Sequence, residues 1–394
     1  MPDSSSLLER EPSNSAESAT GLIPAPGSPE GGNPLRPAKA AAKSSRIYVL
    51  DGLRLAAALA VLYFHYLGGS GNSLWGDSAS RLHRLHRVAE YGWLGVMVFY
   101  MISGFVICMS SWGRSLQDFW KGRILRLFPL YWFAVVLSTV FLRYTPHQPG
   151  EPHITLTQML TNLTMLQEPL GTASVDVVYW TLWIELRFYI IFSLVVWMGT
   201  NYRRVASFCW IWAITSVLAP SAGIPLLELL TVPLWAPFFI AGTAFYLVRQ
   251  QGRLNGELIG LLALSWLLMQ RRMNDIVTNH GTVGISVVVM TMMYVLMLLI
   301  ALGKLDRIQW RWLPIAGALS YPLYLVHQCI GVRLIQMFHA KVGAFSLLAA
   351  LTVGMLVAAW LVHRFVERPA TRLVRRLMQA GVATEPAAVA PQAR

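Results

Sequence analysis

The sequence predicts an all-α integral membrane protein: a polytopic bundle of about ten transmembrane helices with disordered cytoplasmic tails. Three observations carry this expectation. Of 394 residues, 55% are hydrophobic and 13% charged, about half the charge of an ordinary soluble domain. The apolar residues come in blocks of roughly 20, the length that crosses a ~30 Å hydrocarbon core. The basic excess, 32 Lys and Arg against 19 Asp and Glu for a formal net charge of +13, is spread over short segments between those blocks, as topology control requires. It does not gather on one face, so membrane lipids and not nucleic acid are the expected partner of that charge.

Residues 1–45 are rich in Ser, Pro, Gly and Ala and hold almost no large apolar residue. They cannot bury enough surface to offset their ordering entropy and read as a disordered tail. A membrane domain follows over 46–370, and 371–394, rich in Ala, Pro and Gln toward the end, reads as a second tail. Ten spans are expected at 48–67, 91–111, 127–142, 179–198, 205–222, 231–248, 256–270, 283–302, 313–335 and 344–363. An even number puts both tails on one side. With the N-terminus inside, the inner segments hold most of the Lys and Arg residues; the outer ones hold Arg81, Arg84, Arg87, Arg143, Arg271, Arg272 and Lys341. The bias places both tails in the cytoplasm. Cys108, Cys209 and Cys329 stand far apart inside apolar blocks, so neither a metal site nor a disulfide framework is read from them.

Charged or titratable side chains at lipid depth are costly unless they face a cavity or a partner, so they are functional candidates. Glu185 is the acid well inside a span, and Asp51 stands at the mouth of the first. His65 and His327 lie within spans, and His363 ends one. Arg54 and His65 are eleven positions apart, about three helical turns with about 20° of residual rotation. They share a face, separated by roughly 16 Å along the axis, with Arg54 toward the inner side and His65 toward the outer. Snorkelling of both ends explains the same pair without chemistry. Arg123 and Arg126, placed in the first inner loop, present two cations at i, i+3; they suit a phosphate or simply anchor the inner side. Glu185 calls for a cavity or a cross-helix partner, because Arg187 at i+2 does not face it.

The clusters, taken in order, resemble those of membrane acyltransferase family 3, integral-membrane enzymes that acylate bacterial polysaccharides, Nod factors, peptidoglycan and some macrolides. The matching residues are Asp51, Gly52, Leu53 and Arg54 with ten residues to His65; Gly95, Val96, Phe99, Ser103, Gly104 and Phe105; Arg123, Arg126, Pro129 and Tyr131; Trp180, Leu182, Glu185, Phe188 and Tyr189; Ser320, Tyr321, Tyr324, Leu325 and His327; and Glu367 with Pro369. They run from about 46 to 370. Thr181 stands where the pattern commonly has Ser, and Tyr100 where it has Phe.

The resemblance implies an O-acyltransferase with a cytoplasmic acyl-CoA donor, acetyl-CoA foremost, and no tightly bound cofactor or metal. The implied acceptor is a hydroxyl reached from the outer side, on a lipid-linked or envelope glycan or a small glycosylated molecule. It implies His65 as catalytic base with Arg54 as its motif partner, and Arg123 and Arg126 at the donor's phosphates. Glu185 is carried as a further catalytic candidate and Ser103 as a donor-binding one. Asp51, Tyr189, Tyr324 and His327 are accessory candidates. Some members carry an extra soluble domain at the C-terminus; about 25 residues follow Pro369, so none is expected, and the acceptor then reaches the membrane face itself. The expected location is a bacterial inner membrane. The competing reading is a secondary transporter, which ten spans with midplane charges also describe, although no pair of broken segments stands in corresponding halves. Metal or haem held by His65 and His327 is a weaker third.

Overall fold

The apolar blocks fold as long helices, because in hydrocarbon each backbone N–H and C=O must be satisfied within its own segment. The computed structural model describes residues 46–69, 71–146, 153–277 and 281–383; the expected N-terminal tail lies outside them. The long helices are α1 (Tyr48–Leu67), α2 (Leu94–Ser111), α3 (Leu116–Tyr144), α4 (Trp180–Trp197), α5 (Tyr202–Ala222) and α6 (Ala236–Gln251). They continue with α7 (Gly256–Ile276), α8 (Val283–Ala301), α9 (Leu313–Phe338), α10 (Ala344–Val362) and α11 (Arg368–Ala383). No strand occurs among the described residues. Among the described residues, nine helical segments, those containing α1 to α6 and α8 to α10, are long and apolar enough to cross a membrane. The chain is an all-α, multi-pass membrane protein.

The tenth expected span forms as α7, 21 residues long, but it is not among the nine. Glu257 at its start and Arg271, Arg272 and Asp275 near its end confine its uncharged stretch to 258–270. It packs against α5, α6 and α8.

Two boundaries differ from expectation. Helix α3 starts eleven residues before the expected span, because Ser115 caps it: its hydroxyl oxygen accepts the Asp118 N–H at 3.1 Å, satisfying a donor that the first turn leaves unpaired. Arg123 and Arg126 therefore sit in a helix and not in a loop. Past residue 370 the chain continues as α11, so the helical part reaches Ala383. A π-helical turn, His363–Glu367, joins α10 to α11. There His363 Nδ1 and Glu367 Oε2 are 2.6 Å apart, and Arg368 Nε donates to His363 Nε2 at 3.1 Å. Of the motif residues Glu367 and Pro369, Glu367 is part of this joint and Pro369 stands in the first turn of α11.

Helix α1 packs between α9 and α2, α2 lies along α6, and α9 also meets α3 and α10. The α2–α6 contact is backbone on backbone: a Cβ on Gly242 would overlap the Met101 carbonyl, and one on Gly104 the Phe239 carbonyl. Close approach through small residues is how helices gain packing where lipid offers no hydrophobic drive. Aromatic rings lock α4 to its neighbours. Phe188 stacks on Phe239 of α6 with centroids 4.5 Å apart and on Trp212 of α5 at 5.6 Å.

Candidate active site

Five of these helices bring the lipid-depth residues together. Arg54 from α1, Ser103 and Phe99 from α2, Arg126 from α3, Glu185 and Thr181 from α4, and Ser320, Tyr321 and Tyr324 from α9 line one narrow cavity of about 70 Å³. Tyr321 fixes its floor by donating to the Leu127 carbonyl at 3.0 Å, which sets α9 beside the helix turn that carries Arg126.

Glu185 is the acid of this cavity. Its Oε1 accepts the Ser103 hydroxyl at 2.7 Å and the Tyr189 hydroxyl at 2.6 Å. Both bonds end on one oxygen, which leaves Oε2 outside them and the carboxylate able to accept a further donor. Arg187 turns away, donating to the Leu229 carbonyl at 3.0 Å and lying over the Trp183 ring. Arg54 reaches back toward Asp51, with Nη1 and Oδ1 3.5 Å apart, a loose pairing that leaves most of its guanidinium donors for the cavity.

The two arginines of α3 separate. Arg126 is exposed and lines the cavity. Arg123 is buried: its Nη2 donates to Ser110 Oγ at 3.0 Å, and its guanidinium lies 5.8 Å and 5.9 Å from the centroids of Phe119 and Tyr189. The expectation that both present one face to a phosphate is corrected by this packing. Only Arg126 opens to the cavity, whereas Arg123 stands behind Tyr189 and so behind Glu185.

His65 is not in the cavity wall. It lies in the last turn of α1, where its ring centroid is 5.3 Å from that of His327 on α9. Tyr324 connects the two places. It lines the cavity, bonds Thr181 Oγ1 at 2.7 Å, stands edge-on to Phe99 with centroids 5.6 Å apart, and has its ring 5.8 Å from that of His327. Ser110 and Asp176 were not singled out in the sequence. Asp176, an isolated acid between valines, is buried; its carboxylate accepts the N–H groups of Val178 and Cys329, each at 3.1 Å, and so ties the segment before α4 to α9 two residues beyond His327.

Together these residues form the candidate site: cations and a carboxylate line one cavity, and a histidine pair lies beyond it. Residues 47–364 match the sequence profile described as an acyltransferase domain, and the chain belongs to this family, acyltransferase family 3. It is also similar to the acyltransferase MdmB of Streptomyces mycarofaciens, with 27% identity over 384 residues covering 87% of this chain and 96% of that one. No solved structure matches it. The protein is an acyltransferase; the carrier reading has no counterpart in these matches.

Proposed function

We propose that the protein transfers an acyl group, in the first instance acetyl, from cytoplasmic acyl-CoA to a hydroxyl of an envelope glycan or similar carbohydrate-containing acceptor at the outer side of a bacterial inner membrane. The observation that carries this reading is the continuous series from Arg126, Arg54 and Glu185 through Tyr324 to the His65–His327 pair. Arg126 is the exposed cation suited to the donor's phosphates, and both tails and the Arg126 end of the bundle face the cytoplasm. The thioester extends through the cavity toward His65.

In the transfer step His65 takes the proton of the acceptor hydroxyl, and the oxygen forms a bond to the thioester carbonyl carbon. The carbon–sulfur bond breaks, and the CoA thiolate leaves with the proton that His65 releases. A histidine base of this kind is worth about 10²–10⁴-fold in rate. Arg54 and Glu185 orient the donor within the cavity, with Ser103 and Tyr189 holding the carboxylate. Arg123 supports that group from behind.

Mass spectrometry of envelope glycans and secreted metabolites, from cells with and without the gene, tests the reading. The expected result is an acyl mass present only when the gene is. Identical acyl content in both, together with solute uptake by proteoliposomes lacking any acyl donor, is the opposite result.

A further inference from the structure

His327 lies one helix away from the proposed base, and its hydrogen bonding fixes its own protonation pattern. Its Nδ1 is 2.9 Å from the Tyr324 carbonyl oxygen and 3.2 Å from that of Leu323. A carbonyl oxygen only accepts, so Nδ1 carries the hydrogen and, in a neutral ring, Nε2 is a bare acceptor. That Nε2 is buried without a hydrogen-bond partner in a side chain with no exposed surface. A buried acceptor left unmatched is unfavourable and uncommon.

The ring of His65 lies beside that of His327. Two imidazoles joined by one N–H···N bond have centroids about 5 Å apart, given a ~2.9 Å bond and about 1.1 Å from each nitrogen to its ring centre; these two stand at 5.3 Å, inclined by 47°. That separation is compatible with such a bond. The backbone holds the two helices in register for it. Tyr66, next to His65, donates its hydroxyl to the carbonyl of His327 itself at 2.9 Å, and Gly331 makes room for the Tyr66 ring, since a Cβ there would overlap it.

We propose that His327 is a positioning residue that sets the tautomer and orientation of His65, its Nε2 accepting the His65 ring N–H so that the other His65 nitrogen presents its lone pair to the acceptor hydroxyl. The inference rests on His65 being the base. It gives a neutral imidazole the place that a carboxylate holds behind the histidine of a serine–histidine–aspartate triad. When His65 takes the acceptor proton it becomes an imidazolium whose second N–H remains bonded to His327; His327 itself gains and loses no proton. A neutral partner suits lipid depth, where an unpaired carboxylate would be costly.

The test uses the full chain, ¹⁵N-labelled at histidine, in lipid bilayers, with its acetyl transfer measured in cells as acyl mass on envelope material. Solid-state NMR of the wild type, with His65 identified by comparison with His65→Gln, is expected to show one neutral tautomer for His65, its N–H bonded to a ring nitrogen. In His327→Leu, a mixture of tautomers and at least a tenfold loss of transfer are expected at equal membrane protein level. His327→Gln, whose amide oxygen falls near the Nε2 position, is expected to keep the single tautomer and most of the transfer. An unchanged His65 spectrum in His327→Leu overturns the proposal, as does a His327→Gln protein that shows mixed tautomers. His65→Ala measured alongside keeps the two readings apart. If it still transfers, His65 is not the base; if it does not and the His327 variants behave as wild type, only the positioning role fails.

Discussion

Glu185 receives two hydroxyl hydrogens on one oxygen, which leaves its other oxygen outside both bonds. Glu185→Gln keeps an oxygen for Ser103 and Tyr189 but removes the charge, so the expected outcome is a folded, inserted protein with transfer lowered about tenfold or more. Equal transfer at equal membrane level would remove Glu185 from the chemistry. The two arginines of α3 should part company. Arg126→Ala is expected to raise the KM for acetyl-CoA severalfold with little change in thermal stability. Arg123→Ala empties a buried position against Ser110, Phe119 and Tyr189 and is expected to lower the melting temperature by several degrees, as ~1–3 kcal/mol would. Steady-state kinetics and thermal unfolding of both variants in detergent decide it, and matching effects would contradict the division. Arg54, His65 and Glu185 were legible in the sequence because an ionisable residue at lipid depth is rare and costly. The division between Arg123 and Arg126 was not, since i, i+3 spacing puts both on one side of a helix and only the position of Ser110 tells which one is buried. The unmatched Nε2 of His327 was equally out of reach, because it depends on which carbonyls its ring meets.

Helix α9 gathers most of the cross-links that shape the site. Tyr66 ties it to α1, Tyr321 to α3, Tyr324 to α4, and Asp176 to the segment before α4. Burial pushes the Asp176 carboxyl up to about 7, against the opposite pull of the Val178 and Cys329 N–H groups. The folded state therefore keeps a proton that the unfolded chain has already lost between the ordinary carboxylate range and about pH 7. Stability carried by this group is present at low pH and declines as the pH rises through that window. Thermal unfolding in detergent is expected to show wild type losing stability relative to Asp176→Asn between about pH 5 and pH 7; parallel curves would contradict it. Gly242→Val, which forces a side chain into the Met101 carbonyl, is expected to leave little monodisperse protein in size-exclusion chromatography, because the α2–α6 backbone contact has no room to adjust. The helices themselves were readable as apolar length. What length does not show is capping and joints: Ser115 lengthens α3, and the π-helical turn carries the chain into α11, where composition read a tail.

The molecule places its cation-lined cavity and its histidine pair at different depths of one bundle, Arg54 and His65 being roughly 16 Å apart along α1 by helical rise. That separation suits a donor and an acceptor that come from opposite sides. Orientation can be read with single cysteines, since the three native ones are buried. In right-side-out vesicles Ser80→Cys, on an exposed position between α1 and α2, is expected to react with an impermeant maleimide, and Gln117→Cys, at the Arg126 end of α3, only after permeabilisation. The reverse pattern would place the cavity mouth on the wrong side for CoA. The central claim, that His65 completes acyl transfer from a donor held at the Arg126 end, is tested most directly with purified full-length protein in liposomes given ¹³C-acetyl-CoA and an envelope glycan extract, with labelled glycan read by mass spectrometry. Wild type is expected to label the glycan and His65→Ala, equally folded, to leave it unlabelled; label transferred by His65→Ala at near the wild-type rate would contradict the account.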